Sequence, residues 1–178
     1  MSVSFTDEDF EIWTRYLEAM RNQREVASHL LRISHDRPKV LVEILRMGLN
    51  NLEDRFDVLE IVKCIRPEYQ QLLVFEILPL AAMNETKRST NLAQEIILSW
   101  PREWLNAHLE SYARPVMKAI ANGGLRFTCL SEFYSGLIDM FRAVNMETAE
   151  RIAKEAAAHA EPDVRSIGND WLKQPGFC

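Results

Sequence analysis

Residues 84–101 read NETKRSTNLAQEIILSWP, and this stretch decides the fold. A polar entry leads into Leu92, Ala93 and Ile96, three apolar positions at helical spacing. Pro101 cannot continue a helix, so it closes this one and opens the next. Working outward, the same plan recurs along the chain.

Toward the N-terminus, Pro67 opens a helix carrying Leu72, Leu73 and Ile77, which Pro79 is expected to kink or end. Helices are expected over 53–65 and from Asp36, with Pro38 in the first turn of the latter. Two more are expected over 22–33 and over 6–20, where Thr6 caps and Asp7, Glu8 and Asp9 suit the helix dipole. Toward the C-terminus, the helix from Pro101 carries Trp104, Leu105, Leu109 and Tyr112, and Pro115 is expected to divide it. Asn122-Gly123-Gly124 reads as a stop. Helices over 127–142, 145–159 and from Pro162 to before Pro175 complete the chain. No alternating apolar/polar run argues for a strand.

Every second helix carries apolar residues at i, i+1 and i+4: Val26/Ala27/Leu30, Val58/Leu59/Val62, Leu92/Ala93/Ile96, Leu130/Ser131/Tyr134 (one polar member) and Ile167/Gly168/Trp171. The first members step by 32, 34, 38 and 37 residues. Arginines precede them at Arg24, Arg55, Arg88, Arg126 and Arg165. Such periods point to stacked helical repeats. Glu161-Pro162-Asp163-Val164-Arg165, with Asn51-Leu52-Glu53-Asp54-Arg55 as a weaker copy, resembles the opening of the second helix of a HEAT repeat. The chain thus resembles the HEAT and armadillo-like family. The resemblance implies an all-α fold, a short right-handed solenoid of about five antiparallel helix pairs in a single domain. The approximate repeats are 6–35, 36–66, 67–100, 101–143 and 144–174. It also implies that Arg55, Arg88 and Arg165 tie to acidic residues of neighbouring repeats.

The net charge is -5, and no Lys/Arg cluster stands out, which argues against phosphate backbones and anionic lipid as partners. Cys64, Cys129 and Cys178 lack metal-ligand spacing. Cys64 and Cys129, in apolar surroundings, are expected to be buried thiols. His29, His35, His108 and His159 form no His-x-x-x-His pair, and no phosphate loop or nucleophile motif occurs. No cofactor or metal is expected. With no signal peptide and no membrane-length apolar run, a cytoplasmic protein is expected.

Positions facing away from the apolar stripes carry the functional expectation. Two residues after each first member lie Ser28, Glu60, Gln94, Glu132 and Asn169; one residue before lie Glu25, Asp57, Asn91, Cys129 and Ser166. If the second helices line the inner surface, Ser28, Asp57, Glu60, Asn91, Gln94, Glu132 and Asn169 form a polar, mildly acidic groove. The family mostly implies protein binding, so the expected function is a non-catalytic scaffold taking a protein or peptide with basic residues. The alternative is an enzyme or nucleic-acid-acting protein on the same scaffold.

Overall fold

Helix α1 (Pro38–Leu49) is followed by α2 (Arg55–Cys64), α3 (Pro67–Gln70), a 3-10 turn (Gln71–Leu73) and α4 (Val74–Ala82). Then come α5 (Lys87–Leu98), α6 (Arg102–Ala121), α7 (Leu130–Val144), α8 (Met146–Ala157) and α9 (Pro162–Leu172). This computed structural model describes residues 37–82, 87–123 and 129–176, together with Arg15, Glu18, Asn22 and Glu25, which are helical and exposed. The helices expected over 6–20 and 22–33 otherwise lie outside the described residues, as does Ser28. Among the described residues the protein is all-α, with no strand.

The chain divides into two units, residues 1–44 and 45–178. In the first, the part of α1 up to Ile44 buries Leu41 and Val42 and exposes Val40 and Ile44. In the second, consecutive helices pack as neighbours: α4 on α5, α6 on α7, α7 on α8 and α8 on α9. Helices further apart also touch: α4 on α6, α5 on α7 and α7 on α9 two apart, and α2 on α5 and α4 on α7 three apart. The core comes from Ile77, Leu78, Ile96, Ile97, Leu109, Phe133, Leu137 and Phe141, all fully buried.

Several elements depart from the sequence expectation. Pro115 does not divide α6, which runs unbroken from Arg102 to Ala121. Both Pro115 and Ser111, whose carbonyl loses its helical donor, lie on the exposed side, where water can satisfy that carbonyl. Pro79 sits inside α4, which continues to Ala82; the irregular stretch comes earlier, at the 3-10 turn. After α6, Gly123 takes the positive φ of 70° and donates to the Ile120 carbonyl, as a helix stop requires. Asn145 caps α8 by accepting from the Thr148 N–H.

Arg88 and Arg165 bind neighbours of a different kind from those expected. Arg55 Nε donates to the Leu49 carbonyl at 2.9 Å, and Arg165 Nη1 donates to the carbonyls of His159 and Ala160. Arg88 lies over the Phe56 ring, 3.7 Å from its centroid. Carbonyls near a helix C-terminus lack intrahelical donors, which makes them good guanidinium acceptors. Cys64 and Cys129 are exposed, contrary to expectation: Cys64 is the last residue of α2 and Cys129 the N-cap of α7, each at the end of its helix's apolar stripe.

Two glycines set helix spacing. A Cβ on Gly168 of α9 would stand 2.1 Å from the Ala157 backbone nitrogen of α8. A Cβ on Gly136 of α7 would stand 2.6 Å from the Ala82 backbone of α4. Gln70 is buried and joins three segments: its Nε2 donates to the carbonyls of Val62 and Ile65, and its Oε1 accepts from Trp100 Nε1 at 2.7 Å.

Candidate polar cleft on α5, α7 and α9

The last turn of α4 with α5, α7 and α9 encloses a cleft of about 400 Å³. Its size is that of a small-ligand or short-peptide site. α5 contributes Thr90 and Gln94, one turn apart; α7 contributes Ser131, Glu132, Ser135, Gly136 and Asp139; α9 contributes Ile167 and Trp171. Ala81 and Ala82 form the α4 side. The helical period explains the α7 set, because residues three, four and seven apart share a face.

Two of the expected groove residues, Gln94 and Glu132, meet in this cleft. Gln94 is half-buried, and its Nε2 donates to the Ala81 carbonyl at 2.8 Å. That carbonyl belongs to the final turn of α4, so Gln94 serves as a cap between helices as well as a wall. Glu132 is exposed. Asp57, Glu60, Asn91 and Asn169 are exposed on α2, α5 and α9 but do not line the cleft. Near them, Lys63 of α2 pairs with Glu95 of α5 at 2.8 Å, and this bond to Glu95 raises the lysine pKa.

Asp139 and Trp171 were not singled out for this site. Asp139 follows Glu132 by two turns, a signal present in the sequence. Trp171 belongs to an apolar triplet taken as core. Of that triplet only Gly168 is buried, alongside Val164, and Ile167 and Trp171 turn toward the cleft. Trp171 is half-buried, its Nε1 donates to Ser135 Oγ at 3.2 Å, and the Arg142 guanidinium lies 5.1 Å from its ring centroid.

Glu132 and Asp139 have neither a hydrogen bond nor an ion pair with any described residue. The same holds for Asp57, Glu60, Glu68, Glu103 and Glu147, whereas the carboxylates between α6 and α8 are engaged. Glu110 accepts from Arg114 and Arg151, and Glu155 accepts from Arg114 and the Tyr134 hydroxyl. The bond from Arg151, with that from Arg114, holds Glu110 below the usual carboxylate range, and Arg114 does the same for Glu155. Burial, with the Glu155 charge, pushes the Tyr134 hydroxyl up to about 12. These residues tie α6, α7 and α8 together. His159 accepts from the Glu161 N–H at the entry to α9, and His108 is exposed beside Trp104.

Among the described residues, no three His, Cys, Asp or Glu side chains converge as metal ligands would. None of their helices is long and apolar enough to cross a membrane. No family model, curated protein or solved structure matches this chain.

Proposed function

We propose that the protein is a non-catalytic binding scaffold, and that its α5–α7–α9 face takes a basic segment of a partner protein. The observation that carries this reading is the cleft with two unpartnered carboxylates, Glu132 and Asp139, on one stripe of α7. Exposed carboxylates of this kind steer and orient a cationic partner more than they add raw affinity. The cleft sits on the second helices of the expected repeats, where an inner groove belongs.

The architecture we propose for α2 to α9 is a short HEAT-like array. Contacts between alternate helices support it, since stacked pairs place like helices side by side. So does the arginine pattern: Arg55 and Arg165 each reach back six residues to a carbonyl ahead of their helix.

The test is binding of synthetic basic and acidic peptides to the full chain and to a Glu132→Lys/Asp139→Lys variant. Basic peptides should bind the native chain, weaken as salt rises, and lose most of that binding to the variant. Equal binding of acidic and basic peptides, or full retention by a folded variant, would count against the reading.

A further inference from the structure

We draw no further inference here: the strongest candidate, the aromatic surface patch that the exposed Phe75 of α4 forms with Trp104, His108 and Tyr112 of α6, is an unpartnered face, and nothing in the structure shows what covers it.

Discussion

Gly168 shows how much one residue decides. The Cβ of an alanine there would overlap the backbone of Ala157 and the Ala153 carbonyl of α8, and backbone cannot swing aside as a side chain can. Gly168→Ala should therefore cost at least about 1–3 kcal/mol, the range for overpacking a tight contact. Gly48→Ala is the comparison: its closest neighbours are the Val58 side-chain methyls, which can rotate, so its loss should be smaller. Urea melts of both variants check the order, and equal losses would contradict it. Gln70 is the second decisive residue. Gln70→Leu strips the buried Trp100 N–H of its acceptor and the Ile65 carbonyl of its side-chain donor, and should cost about 1–3 kcal/mol. Adding Trp100→Phe removes one orphaned donor, so the double variant should lose less than the two single losses added together.

At the scale of elements, α5 was the most legible. Its Leu92, Ala93 and Ile96 stripe is buried as expected, and α5 packs on α2, α4 and α7. Leu92→Ala or Ile96→Ala should cost about 2–5 kcal/mol, as buried large-to-small changes do. Denaturant melts showing under about 0.5 kcal/mol for both would contradict that packing. α9 was less legible. Ile167, Gly168 and Trp171 fit an apolar triplet, but of the three only Gly168 is buried, together with Val164. Two registers a residue or so apart both satisfy a helical period, and only the close approach to Ala157 selects one. The tie between α6 and α8 was not legible at all. Nothing local in the sequence pairs Glu110 with Arg151 across 41 residues.

That tie carries a pH prediction. Glu110 and Glu155 have folded pKa values held below their ordinary 4.5 by Arg151 and Arg114. The folded state thus binds protons less readily than the unfolded chain. Their contribution is complete above about pH 4.5 and is lost as pH falls through the lowered folded values. Stability measured against pH should fall on the acid side of 4.5, and Glu110→Gln with Glu155→Gln should flatten that limb. An acid limb unchanged in the double variant would contradict it.

At the scale of the molecule, the cleft was half legible. Gln94 and Glu132 were identified from their position opposite the apolar stripe, because outward direction follows from the helical period alone. Which outward residues share a cleft depends on how α5, α7 and α9 pack, and that brought in Asp139 and Trp171 and left Asp57, Glu60, Asn91 and Asn169 outside. The central claim is that this face binds a basic segment. Amide and indole NMR shifts of the full chain, followed during titration with a synthetic basic peptide, test it most directly. The account predicts saturable shifts at Gln94, Ser135, Asp139 and the Trp171 indole N–H, with the α6 and α8 residues Glu110 and Arg151 unmoved. Shifts confined to α6 and α8, or none anywhere up to millimolar peptide, would contradict it.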